Sequence, residues 1–183
     1  TVERFIPNNS FRSWRLLSVP TFGNGQTIRQ AWQEGDANPL PKQNNLPGYG
    51  AQITGVFTTQ ALAAAAGFDS TSVQAGMLTW GGTNWVNVNS TNTPIANNKA
   101  YFLYVRGDRS KSVTGATTDA SATTLRTNGT VYTGDQVTNI SANSFAVVPN
   151  LYPSAIDFTG LTRTGGVSNL FYVWDSKKLS GNS

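Results

Sequence analysis

Short runs of β-branched and aromatic residues recur along the whole chain, and nearly every one is closed by Gly, Pro, Asn, Asp or Ser. Such punctuation favours strands joined by turns over long helices. The runs fall at 2–6, 14–19, 51–57, 77–80, 85–88, 100–106, 123–126, 130–133, 145–148 and 170–174. The cluster Pro7-Asn-Asn-Ser10 separates the first two, and Pro20, Gly23 and Gly25 close the second. Two segments, Tyr101-Phe-Leu-Tyr-Val105 and Leu170-Phe-Tyr-Val-Trp174, are apolar on both faces. Both are expected as central strands covered on each side. Trp80-Gly-Gly-Thr-Asn-Trp85 reads as a hairpin, because its glycines can supply positive φ.

Helix signals are few. Thr27-Ile-Arg-Gln30 has the spacing of a capping box, Ile28, Ala31 and Trp32 form one apolar stripe, and Gly35 can end the helix. A weaker helix is predicted over 59–66, stopped by Gly67. Segments 89–98 and 111–122 read as long polar loops. The fold expected is therefore all-β, an antiparallel β-sandwich or flattened barrel with one or two short helices. Its core is expected to draw on Trp14, Leu16, Ile53, Phe102, Leu103, Val105, Phe145, Val147, Phe171 and Val173. A chain of 183 residues fits a single β-rich domain over 1–183.

Composition narrows the chemistry. There is no histidine and no cysteine, so the commonest general base, the commonest metal ligand and the best sulfur nucleophile are all missing. Without disulfides the fold must stand on its packing. Thr, Asn, Ser and Gly supply about two fifths of the chain, while charged residues are only 12%. Acid–base chemistry would fall to nine scattered carboxylates. Asp36, Asp69, Asp108 and Asp135 each neighbour Gly or Ser and read as turn residues. A glycan-active carboxylate pair across a groove is the third-ranked reading, with nothing local pointing to one. No enzyme activity and no cofactor are expected. Calcium is the one ion such loop oxygens can hold, but no Asp-x-Asp-x-Asp pattern is present.

The thirteen basic residues are dispersed, the tightest group being Arg106, Arg109 and Lys111, so nucleic acid is not an expected partner. No stretch is long and apolar enough for a membrane span. The opening Thr-Val-Glu-Arg-Phe carries no signal peptide, which reads as a piece of a longer polypeptide. Arg106-Gly-Asp108 is the tripeptide that integrins recognise, but after an apolar strand it reads as a tight turn. Glycosylation sequons at Asn8, Asn89, Asn128 and Asn139 are expected by chance in so Asn- and Thr-rich a chain. The aromatics matter more. Sugar rings stack on exposed Trp and Tyr, and Trp80, Trp85 and Tyr49 are the candidate ligand-binding residues. Buried, they would simply be core.

Taken together, several segments resemble a domain found in large secreted and cell-surface proteins of Bacteroidetes. They are Val2-Glu-Arg-Phe-Ile-Pro7, Trp14-Arg-Leu-Leu-Ser-Val-Pro20, 28–35 ending Ala-Trp-Gln-Glu-Gly, Pro47-Gly-Tyr-Gly50 and Gly67-Phe-Asp69. Further on come Val105-Arg-Gly-Asp-Arg-Ser110, Thr124-Leu-Arg-Thr-Asn-Gly-Thr130 and Phe171-Tyr-Val-Trp-Asp175. The chain departs at Asn150-Leu-Tyr152, where the related pattern often has Asn-Pro-Tyr, and at 61–66, which looks inserted. The resemblance implies export by the type IX route and a cell-surface setting beside other domains of a parent chain, and carries no site residues. The expectation is a non-catalytic extracellular module acting as a structural or adhesion unit, with glycans or surface proteins as partners. The alternative is a carbohydrate-binding module. An internal Lys–Asn cross-link, as in some bacterial surface domains, is a minor expectation.

Overall fold

The computed structural model describes residues 1–8, 11–34 and 47–176. The chain is mostly β, with two short helices and several small sheets. The order is β1 (Val2–Ile6), β2 (Ser13–Leu17), β3 (Thr21–Phe22), α1 (Ile28–Trp32), β4 (Thr54–Gly55) and α2 (Gln60–Ala65). Then come β5 (Ser70–Thr71), β6 (Met77–Trp80), β7 (Trp85–Asn87), β8 (Tyr101–Val105), β9 (Thr123–Thr127) and β10 (Thr130–Val131), with a last 3-10 turn at Phe158–Gly160. The largest sheet is four-stranded and antiparallel, β2-β8-β6-β7. Antiparallel pairs β1-β9 and β10-β3 flank it, and β4-β5 is a short parallel pair.

Local chemistry explains the helices. Thr27 Oγ1 accepts from the Gln30 amide while the Gln30 side chain accepts from the Thr27 amide, closing the capping box. Ile28, Ala31 and Trp32 turn inward. Thr59 Oγ1 caps α2, and Gly67, at φ 89°, takes the left-handed position after it. Alternation organises β8: Tyr101, Leu103 and Val105 are buried, whereas Phe102 and Tyr104 emerge on the opposite face. The inward side joins Leu17, Val19, Ile53, Phe68, Met77 and Leu125 in one apolar core.

Several sequence expectations need correcting. Segment 170–174 lies outside every strand, and Leu170, Tyr172 and Val173 are about four-fifths exposed. Its side chains have the strand pattern, but its backbone forms no ladder with any described strand. Segment 145–148 is not a strand either: Asn143 takes φ 56° in the turn 141–144, Pro149 follows, and Phe145 is exposed. The run 51–57 contracts to β4. Around it the Ile53 amide donates to the Asp69 carboxylate, the Ala51 amide to Trp32 O and the Gly76 amide to Thr54 O, so irregular contacts replace a ladder. Of the expected core, Ile53, Leu103 and Val105 are buried, Trp14, Phe102 and Val147 are half-buried, and Leu16, Phe145, Phe171 and Val173 are exposed. Gly35, Asp36 and, from the Pro7–Ser10 turn and the Asn8 sequon, Asn9 and Ser10 lie outside the described residues.

Candidate binding surface

The outer face of the four-stranded sheet is built from side chains that alternate away from the core. Register places Trp14 opposite Tyr104, Leu16 and Leu78 on either side of Phe102, and Trp80 opposite Trp85. Five rings then follow one another across the sheet. Tyr104 and Trp14 are 5.4 Å apart, Trp14 and Phe102 stack at 4.9 Å, and Phe102 and Trp85 meet at 5.3 Å. Trp85 and Trp80 close the row edge-to-face at 5.4 Å. All five are half-buried, so each keeps part of its ring in solvent. Beside the tryptophans, Asn84 and Asn87 are exposed.

Two further groups frame the row. Trp174 sits edge-on against Phe102 at 4.9 Å, and its indole N–H donates to the Trp14 carbonyl at 2.9 Å. At the other end the Arg106 guanidinium lies 4.9 Å from the Tyr104 ring centre while donating to Gln52 O. Burial, aided by repulsion from Arg12, holds the Arg106 pKa below its ordinary value.

Trp80 and Trp85 are thus brought together as the hairpin signal implied. Tyr49 is elsewhere. It bridges to Thr124 of β9, and Arg126, held by the Glu34 carboxylate at 2.6 Å, stacks on its ring at 4.3 Å. Sequence reading assigned Trp14 and Phe102 to the core and missed them as surface. The usable signal was β8 itself, apolar on both faces in an antiparallel sheet.

The acidic residues divide differently from the turn chemistry expected of them. Asp69 is buried: its carboxylate accepts from Arg109 Nη2 at 2.6 Å, Gln33 Nε2 at 2.7 Å and the Ile53 amide at 2.7 Å. That is a structural lock, not a turn. Asp108 does behave as a turn residue. It accepts from the Gly48 amide at 2.8 Å and from Ser110, and Gly107, at φ 130°, has no room for a Cβ beside Ser121. Burial raises the Asp108 pKa, but the hydrogen bonds from Ser110 and Gly48 outweigh it and hold the carboxyl below its usual value. Arg106 and Asp108 are both buried, so the tripeptide presents no integrin-like tip. Lys111 pairs with the Asp119 carboxylate at 2.7 Å on the surface.

Among the described residues no three acidic side chains gather into a metal-sized cluster, and no helix is long and apolar enough to cross a membrane. No known protein family, curated protein or solved structure matches this chain.

Proposed function

We propose that this chain is a non-catalytic module of an exported bacterial protein, acting as a structural or adhesion unit through the aromatic face of its four-stranded sheet. The observation that carries the reading is the row of five half-exposed rings from Tyr104 to Trp80. Aromatic surface of this kind is enriched at interfaces, where a flat apolar body and a polar tip meet a partner. The segment resemblance to Bacteroidetes secreted proteins supplies the cell-surface setting. In architectural terms we read a two-layer sandwich, with β1-β9 facing the inner side of the four-stranded sheet across the shared core.

A second reading is carbohydrate binding, favoured by one detail. Trp80 and Trp85 meet at the turn end of a hairpin with exposed Asn84 and Asn87 alongside, which pairs stacking planes with amide hydrogen-bonding groups. A panel of glycans and polysaccharides, read by tryptophan emission and thermal shift, separates the two. A ligand that moves the emission, raises Tm and is lost in Trp85→Ala establishes the carbohydrate reading. A flat panel favours protein contact. Hydrolase or lyase activity abolished by changing one carboxylate would overturn both.

A further inference from the structure

We propose that the groove between β1 and β2 is a strand slot, and that residues 170–174 of the same chain (Leu-Phe-Tyr-Val-Trp) are the strand that fills it. Each bank is an unpaired edge among the described residues: β1 pairs only with β9, and β2 only with β8. An open edge leaves a row of amides and carbonyls without ladder partners. The two edges face each other. A cavity of about 390 Å³ lies between Val2 and Arg4 on one bank and Leu17 and Ser18 on the other, with Asn150 and Pro153 to Ala155 also lining it, and a second of about 250 Å³ lies between Phe5 and Ile6 and Arg15 and Leu16. Over most of their length β1 and β2 stay more than 8 Å apart. Paired strands lie ~4.8 Å apart, so β1 and β2 are too far apart to pair with each other, and the two cavities mark the space left between them.

The hydrogen-bond phase of β2 fits the same occupant. Tyr104 donates its amide to Gly76 O on the β6 side, so the Trp14–Tyr104 pair is not hydrogen-bonded across β2-β8. The Trp14 carbonyl therefore faces the open edge, and by alternation so do the backbone groups of Leu16. Trp174 has already found that carbonyl through its indole N–H, and both Trp174 and Ser176 line the second cavity. Ser176 also hydrogen-bonds Arg15. On the β9 side of the first cavity, Thr127 Oγ1 is buried without a hydrogen-bond partner.

Side-chain pattern and length match as well. β1 and β2 are five residues each, the length of the proposed strand. With Trp174 on Phe102, a seated strand would place Leu170, Tyr172 and Trp174 beside exposed Phe5 and Leu16 on the outer face. Phe171 and Val173 would then face Leu17 and Leu125 in the core. The structure holds the segment by Trp174, by Phe171 against Phe158 at 4.5 Å and by Tyr172 against Phe145 at 6.0 Å, and still leaves Leu170, Tyr172 and Val173 about four-fifths exposed beside the groove. Seating the strand would tie the open edge of the β1-β9 layer to the β2 edge of the four-stranded layer, closing one side of the two layers. The proposal is independent of what the aromatic face binds.

Amide hydrogen exchange on the full chain tests it. The expected result is exchange at 170–174 about a hundredfold or more slower than in an unstructured peptide, with matching protection at Trp14, Leu16 and along β1. Exchange of 170–174 at the unstructured rate overturns the proposal. Val173→Pro removes one ladder amide and should abolish protection at 170–174 and along β1 while leaving β6 and β8 unchanged; undiminished protection of β1 also overturns it. If that variant does not fold, Phe5→Cys with Tyr172→Cys, in a chain with no other cysteine, should oxidise to an intramolecular disulfide in the monomer. Failure to form that bond counts against the slot. Protection that vanishes on dilution, alongside a dimer in sedimentation, overturns the intramolecular seating in favour of strand exchange between copies.

Discussion

Tyr101-Phe-Leu-Tyr-Val105 and Leu170-Phe-Tyr-Val-Trp174 are near twins in sequence, yet the first is the middle of the largest sheet and the second lies outside every strand. Side-chain pattern does not separate them. What separates them is what their backbones meet. β8 has β2 on one edge and β6 on the other, and its inward face is buried in the core. Just beyond its end, Arg109 reaches the buried Asp69 carboxylate and fixes the chain's exit. Segment 170–174 makes no ladder with any described strand; it is held by the Trp174 indole hydrogen bond to β2 and by ring contacts of Trp174 with Phe102, Phe171 with Phe158 and Tyr172 with Phe145. Hydrophobic alternation shows which face a strand can bury, whereas pairing depends on an available edge.

The largest way to weaken the first twin is to remove its anchor. Asp69→Ala leaves the buried Arg109 charge without its carboxylate partner, which should cost about 3–5 kcal/mol in chemical denaturation. Adding Arg109→Met to Asp69→Ala should recover a large part of that loss, because the isolated charge is then gone. A loss below about 1 kcal/mol for the single change would mean that β8 is fixed by side-chain packing alone.

That anchor was invisible in the sequence for a physical reason. Asp69 meets Ile53, Gln33 and Arg109 at separations of 16, 36 and 40 residues, and no local spacing encodes such a convergence. Features whose partners lie within a few residues were legible: the Thr27–Gln30 capping box, the Gly67 stop after the second helix and the Trp80–Trp85 hairpin all form as read. Tyr49 shows the same limit from the other side. Its glycine-flanked segment suggested an exposed ring, but Arg126 and Glu34, distant in the chain, clamp it.

Removing the same atoms from each twin measures the contrast directly. Leu103 is fully buried, and Leu103→Ala should cost about 2–5 kcal/mol. Leu170 is four-fifths exposed, and Leu170→Ala should fall within about 0.5 kcal/mol. Seating of the segment in the groove raises the second figure only modestly, since Leu170 would lie on the outer face. Equal losses at the two positions would break the comparison.

A smaller effect tests the loop after β8. Asp108 is held below the ordinary carboxyl value, so its contribution to stability is full above the unfolded pKa of about 3.9 and is lost as pH falls through the lower folded value. Asp108→Asn should therefore lower Tm most at neutral pH, with the gap to the parent closing below about pH 4. A gap that persists unchanged at low pH would mean that the side chain acts by shape rather than charge.

A pairwise effect lies where the outer face is most open. Trp80 and Trp85 face each other in a cross-strand pair, edge-to-face at 5.4 Å and only half-buried. Such ring pairs are worth about 0.5–1.5 kcal/mol beyond area burial, so a double-mutant cycle with Trp80→Ala and Trp85→Ala should return a coupling in that range. Phe102→Ala should cost more than either tryptophan change, because Phe102 touches Trp14, Trp85 and Trp174 together. If the Trp80–Trp85 coupling is near zero, the hairpin end contributes little to the fold, and its two rings are there for what they meet outside it. A coupling well above the range would instead make them part of the framework that holds β7 in place, and would move the binding role inward to Trp14 and Tyr104.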